Sequence, residues 1–137
     1  RELGADHVIN SRETDPVAAI QELTGGLGVS AMLETSGNPD ARVQALKSIR
    51  PFGRCCYVGM GGPATIDFSK DVIFKVATIY GSWTFSKSEL IEIARFMVEA
   101  KVPLEKLITH RYALDQTVEA FRTFDGATTG KCVFAMD

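Results

Sequence analysis

With 137 residues, 45% of them hydrophobic and 23% charged, the chain has the makeup of one soluble globular domain, which excludes a disordered or fibrous segment. No apolar run approaches the roughly 20 residues of a membrane span. The net charge of −2, with Lys and Arg scattered along the chain, offers no basic patch for nucleic acid or acidic lipid, so a small neutral or anionic ligand fits better.

The chain opens on Arg1, with no apolar leader in its first residues. An opening that reads as the end of a helix running at once into a strand is expected of a piece cut from something longer. Short apolar runs then recur at His7-Val8-Ile9, Val29 to Leu33, Cys55 to Met60 and Ala77 to Tyr80, starting about 22 to 26 residues apart. That interval suits a strand, a helix and two turns, the repeat of parallel βαβ units, and is too long for hairpins. The runs lack strict polar alternation, as expected of strands with helices over both faces of the sheet.

Helix starts fall between the runs. Asp15-Pro16 and Asn38-Pro39 each read as an N-cap followed by Pro at the first helical position, where its missing N–H costs nothing. Gly25-Gly26 and Pro51 close these two helices. Asp67 is expected to cap a short helix through Phe74. Ser86-Lys87-Ser88-Glu89 is a capping-box pattern opening a helix to Lys101, with Leu90, Ile93, Ala94 and Met97 as its apolar stripe. Beyond Pro103, a short helical turn from Leu104 to Ile108 leads to an extended Thr109-His110-Arg111-Tyr112. A helix from Asp115 with Val118, Phe121 and Phe124 on its buried side follows, and Lys131 to Met136 reads as a last strand.

In an open parallel sheet ligands bind beyond the carboxyl ends of the strands. Those positions hold Glu34-Thr35-Ser36-Gly37-Asn38, Val58-Gly59-Met60-Gly61-Gly62 and Gly81-Ser82-Trp83-Thr84. Small residues at three successive strand ends are either ordinary turns or the floor of a cleft where a flat ligand lies against the backbone. Glu34 reads as a buried or capping carboxylate. The cluster Gly25-Gly26-Leu27-Gly28 precedes a strand, so it is structural and no phosphate loop.

Cys55, Cys56 and Cys132, an odd number without C-x-x-C spacing, read as reduced thiols of a cytosolic protein, which places the chain in the cytoplasm. With His7 and His110 they form no metal-ligand pattern, and no stoichiometric zinc is expected. No nucleophile elbow or paired acid and base is visible, so no residue is assigned a catalytic role.

Glu2-Leu3-Gly4-Ala5-Asp6-His7-Val8-Ile9-Asn10 resembles a segment of the zinc-type medium-chain alcohol dehydrogenases that joins a helix to the third strand of their dinucleotide domain. Thr24-Gly25-Gly26-Leu27-Gly28-Val29, Glu34-Thr35-Ser36-Gly37, Gly53-Arg54 through Val58-Gly59, Leu107 to Tyr112 and Gly130-Lys131-Cys132-Val133 follow in that family's order and spacing. The resemblance covers essentially the whole chain. It implies an α/β fold, a partial Rossmann-like parallel sheet of about four strands with flanking helices. Residues 1–108 would be part of the dinucleotide-binding domain, and residues 109–137 a segment returning to the catalytic domain.

By the same resemblance, Val8-Ile9 is the third strand. The phosphate loop, the acidic residue that distinguishes NAD from NADP, and the zinc ligands would all precede Arg1. What remains is the half towards the nicotinamide side of an NAD or NADP site, where Thr35, Ser36, Gly37, Val58, Gly59, Met60, Ser82, Trp83 and Thr84 would line the adenosine edge, the nicotinamide ring and its carboxamide. The Val58 and Ser82 carbonyls would accept from the carboxamide NH2 and the Thr84 N–H would donate to its oxygen, while a branched side chain at Gly59 would intrude on the nicotinamide. Lys131 either meets the pyrophosphate or is a solvated surface lysine. The intact enzyme would oxidise a small alcohol, or reduce a carbonyl, with zinc as Lewis acid and hydride passing to the nicotinamide. Thr78-Ile79-Tyr80, a β-prone edge without a protecting charge or proline, would pair with its twin in a homodimer. The competing reading is a non-catalytic nucleotide-binding or interaction module built on half a Rossmann domain.

Overall fold

The computed structural model describes residues 2–136, which group by contact into a unit of residues 7–85 and a unit of residues 2–6 with 86–136. In the first unit the order is α1 (Pro16–Leu23), β1 (Val29–Glu34), α2 (Pro39–Ser48), β2 (Ile49–Tyr57), a π-helical segment (Phe68–Ile73) and β3 (Thr78–Gly81). The three strands form one sheet in the order β1-β2-β3, and both pairings are parallel. The α/β class expected from the βαβ interval is therefore present.

The local signals explain the helix starts. Asp15 accepts from the Val17 N–H, and Asn38 from the Asp40 and Ala41 N–H groups, each with Pro at the first helical position. Asp67 accepts from the Lys70 N–H and caps the π-helical segment. Lys75 performs the opposite task at the end of α2. Its ammonium donates to the carbonyls of Leu46, Lys47 and Ile49 at 2.8, 2.8 and 2.9 Å, satisfying oxygens that lack helical partners and meeting the negative end of the helix dipole. Burial lowers the pKa of this amine, and the carboxylate of Asp71 opposes the shift.

Ala45, Leu46, Ile49 and Cys55 are the buried core, with Val29, Met32, Tyr57, Ile66, Val72 and Ala77 packed around them. The register puts Met32, Cys55 and Ile79 in one row on the α2 side, and Leu33, Cys56 and Tyr80 in a row on the other. Cys55 is fully buried, whereas Leu33 is 61% and Tyr80 51% exposed. Within this unit helices thus cover one face of the sheet, not the expected two. The reason is topological: two right-handed crossovers stepping in the same direction lie on the same face.

The structure corrects two further expectations. Val8-Ile9 is not a strand, and Val8 is 66% exposed. In the doubly wound order 3-2-1-4-5-6 the third strand is separated from the fourth by two others, so it has no hydrogen-bonding neighbour among the strands of the described residues. The third apolar run begins its strand earlier than expected, at Ile49, and ends it at Tyr57, leaving Val58 to Gly62 as a loop.

The second unit holds α3 (Lys87–Glu99), a 3-10 turn (Leu104–Leu107), β4 (Ile108–Tyr112), α4 (Thr117–Asp125) and β5 (Lys131–Phe134). Ser86 and Glu89 form the full capping box. The α3 stripe stays uncovered within this unit, with Leu90 49% and Ile93 39% exposed. β4 and β5 pair in parallel around Tyr112 and Ala120, both buried. Among the described residues no helix is long and apolar enough to cross a membrane.

Candidate functional site

The carboxyl ends of β1, β2 and β3 lie side by side, because Glu34 pairs with Tyr57 and Tyr57 with Gly81 in register. The ladder runs one step past the strands, with the Ser82 N–H donating to the Tyr57 carbonyl at 2.9 Å. The structure therefore brings Thr35, Ser36, Gly37, Val58, Gly59, Met60, Ser82, Trp83 and Thr84 to one end of one sheet. Lys131 opens β5 in the other unit and is exposed.

Glu34 organises the first of these loops. Its buried carboxylate accepts from the Ser36 N–H at 2.7 Å, the Ser36 hydroxyl and the Gly37 N–H at 2.9 Å. Burial pushes its pKa up, but the Ser36 and Gly37 hydrogen bonds and the Arg42 charge outweigh that, and the net result is below the usual carboxylate value. The capping role read from the sequence is thus realised. Its main-chain carbonyl also accepts from the Val58 and Gly59 N–H groups at 2.8 and 3.1 Å, tying the second loop to the first.

Arg42, on α2, was not among the expected residues. Its guanidinium donates to the Gly59 carbonyl at 2.8 Å and to the Gly62 carbonyl, while Nε lies 4.0 Å from Oε2 of Glu34. That Nε is buried and has no hydrogen-bond partner among the described residues. The Tyr57 hydroxyl donates to the Arg42 carbonyl at 2.9 Å. No spacing rule links Glu34 to Arg42 across a turn and the start of a helix, so only the fold reveals the pair.

The glycines have another role than the sequence suggests. A Cβ on Gly59 would lie 2.2 Å from the Gly37 nitrogen, and one on Gly61 would strike the Gly37 carbonyl. Gly37 itself has φ +72°. The space a side chain at Gly59 would fill is taken by the neighbouring loop and is not an open cleft, so these glycines serve loop-to-loop packing first.

Several main-chain groups at the sheet end are left over, the N–H groups of Met60 and Trp83 among them. Among the described residues, the Val58 carbonyl, the Ser82 carbonyl and the Thr84 N–H have no hydrogen-bond partner. Thr84 has φ +51°, a left-handed conformation that a threonine seldom adopts. Two acceptors and one donor at adjacent strand ends fit a primary amide. Val58, Met60 and Trp83, 42%, 71% and 69% exposed, surround them with apolar surface. A metal fits less well, since among the described residues no three of His, Cys, Asp and Glu converge. The three cysteines are free.

The profile of the zinc-binding dehydrogenase family matches residues 1–99. L-threonine 3-dehydrogenase of Pyrococcus horikoshii is 39% identical over 99% of this chain and 40% of its own length. Sorbitol dehydrogenase of Bacillus subtilis is 33% identical over 88% of this chain and 34% of its own. Among solved structures, benzyl alcohol dehydrogenase from Acinetobacter calcoaceticus superposes with a TM-score of 0.84 at 32% identity, over 99% of this chain and 38% of that one. An alcohol dehydrogenase from Thermotoga maritima gives a TM-score of 0.87 at 26% identity, over 99% of this chain and 39% of that one. The chain spans about 40% of the length of the curated relatives it matches. With a profile match across most of its residues and a parallel sheet that superposes on solved alcohol dehydrogenases, the chain belongs to the zinc-binding dehydrogenase family.

Proposed function

We propose that this chain supplies the nicotinamide side of the NAD or NADP site in a dehydrogenase that oxidises a small alcohol or reduces the matching carbonyl. The observation that carries this is the set of unpaired main-chain groups at Val58, Ser82 and Thr84, gathered at the carboxyl ends of two adjacent parallel strands, β2 and β3. The two carbonyls accept from a carboxamide NH2 and the N–H donates to its oxygen. Thr35, Ser36, Gly37, Gly59 and Met60 form the adjoining floor, and Trp83 a wall. When bound, the nicotinamide accepts or returns the hydride. The chain's contribution is to fix which face of the ring meets the substrate.

The alcohol class is supported by relatives whose names specify threonine, sorbitol and benzyl alcohol as substrates. The described residues provide no zinc ligand set, so no step is assigned to that metal in this chain. Residues 1–108 are taken as dinucleotide domain and residues 109–137 as a segment of the catalytic domain, in which Lys131 is either a pyrophosphate contact or a solvated surface lysine. Three free cysteines favour the cytoplasm. The exposed edge Thr78, Ile79 and Tyr80 on β3, one of the two edge strands of its sheet, supports a homodimer formed by edge pairing.

The test compares NADH with its nicotinic-acid analogue in the protein at its native length. A carboxylate has no N–H to donate and would face two carbonyl oxygens. The analogue is expected to bind at least roughly tenfold more weakly. Equal affinities refute the assignment of the three groups.

A further inference from the structure

Arg42 occupies an unusual position. A guanidinium mostly withdrawn from water, 22% exposed as a side chain, is held against a carboxylate that is only 4% exposed, yet spends its two hydrogen bonds on main-chain carbonyls of a different loop. If its purpose were only to neutralise Glu34, the direct contact would be shorter than 4.0 Å and Nε would not be left without a partner. Glu34 is already satisfied by Ser36 and Gly37. The geometry instead places the fork of the guanidinium on Gly59 and Gly62, the two ends of the turn that follows Val58.

We propose that Arg42 is the positioning residue of the nicotinamide side: steadied by the buried Glu34 charge, it grips the Gly59 and Gly62 carbonyls and so sets where the Val58 carbonyl stands. This rests on the reading of the strand ends as half of a dinucleotide site. The loop from Val58 to Gly62 is glycine-rich, with Gly59, Gly61 and Gly62, and would otherwise sample many conformations. A fork that spans two carbonyls restricts it, and a single ammonium cannot span both. The Glu34 carbonyl holds the near end of the same loop through the Val58 and Gly59 N–H groups. The clamp thus has one arm from the end of β1 and one from α2, and the unpaired Val58 carbonyl lies where the loop leaves β2.

The experiment measures Kd for NADH and for ADP-ribose, which lacks the nicotinamide, together with melting temperature, in the protein at its native length. Arg42→Met would leave Glu34 buried without a countercharge and lower the melting temperature sharply. Arg42→Lys keeps the charge and loses the fork, so it carries the test. In Arg42→Lys, NADH is expected to bind roughly tenfold more weakly, the equivalent of one charge-assisted hydrogen bond, while ADP-ribose stays within about twofold of wild type. The melting temperature should stay near that of wild type. Unchanged NADH binding, or equal losses for both ligands, overturns the role of Arg42 alone. A wild-type protein that binds ADP-ribose as tightly as NADH overturns the nicotinamide reading, and this inference with it.

Discussion

Replacing Gly59 by Ala probes the close approach of the two loops. The new Cβ would lie 2.2 Å from the Gly37 nitrogen, 2.6 Å from the carbonyl carbon of Thr35 and 2.7 Å from that of Ser36. All three are main-chain atoms, so no side-chain rotation relieves the overlap, and the loops must part by about 1 Å to regain ordinary contact. That movement strains the Val58 and Gly59 N–H bonds to the Glu34 carbonyl, now 2.8 and 3.1 Å long. Overpacking costs about 1–3 kcal/mol, and each weakened hydrogen bond about 0.5–1.5 kcal/mol. Because the loops share the strain, a total loss of about 2–4 kcal/mol is expected, against a typical domain stability of about 5–15 kcal/mol. Urea unfolding reads this as a lower midpoint at unchanged slope. Gly81→Ala is the control. A Cβ there meets nothing within 4 Å, so its effect should stay within about 0.5 kcal/mol. An unshifted midpoint for Gly59→Ala, accompanied by weaker NADH binding, would mean that this glycine faces an open cofactor cleft and would refute the packing argument.

The Glu34 carboxyl titrates below its ordinary value of 4.5 in the folded protein, so between the two values the native state holds fewer protons than the unfolded chain. Its stabilisation is complete above pH 4.5 and is lost as the pH falls through the folded value. Glu34→Gln should flatten that part of the acid limb in urea midpoints measured against pH, and parallel curves for the two proteins would refute the assignment. Ile79→Pro removes a ladder donor from the β3 edge and should convert a dimer to a monomer by light scattering. A wild-type protein already monomeric at high micromolar concentration rules out pairing through this edge.

Much of this architecture is local and was legible in the sequence. Asp15-Pro16, Asn38-Pro39 and Ser86 with Glu89 start helices where the chain itself supplies the acceptor for free N–H groups, and the even interval of apolar runs implied parallel strands. Glu34 was legible as a capping carboxylate because the groups it binds, Ser36 and Gly37, lie two and three residues away. What depended on residues distant in sequence was not. Val8-Ile9 has the composition of a strand, yet a strand exists only where a neighbour completes its ladder, and none among the described residues does. Covering both sheet faces also depends on crossover direction, which apolar runs do not encode. Arg42 meets Gly59 and Gly62 across 17 and 20 residues. The Cβ direction of Gly59 became known only once Thr35 to Gly37 were seen to occupy it. The sequence alone determined most helix starts, the parallel pairing and the sheet end at which to look. The tertiary structure decided which backbone groups remain unpaired there and which side chain grips the loop beside them, because both depend on how two loops from different strands pack against each other.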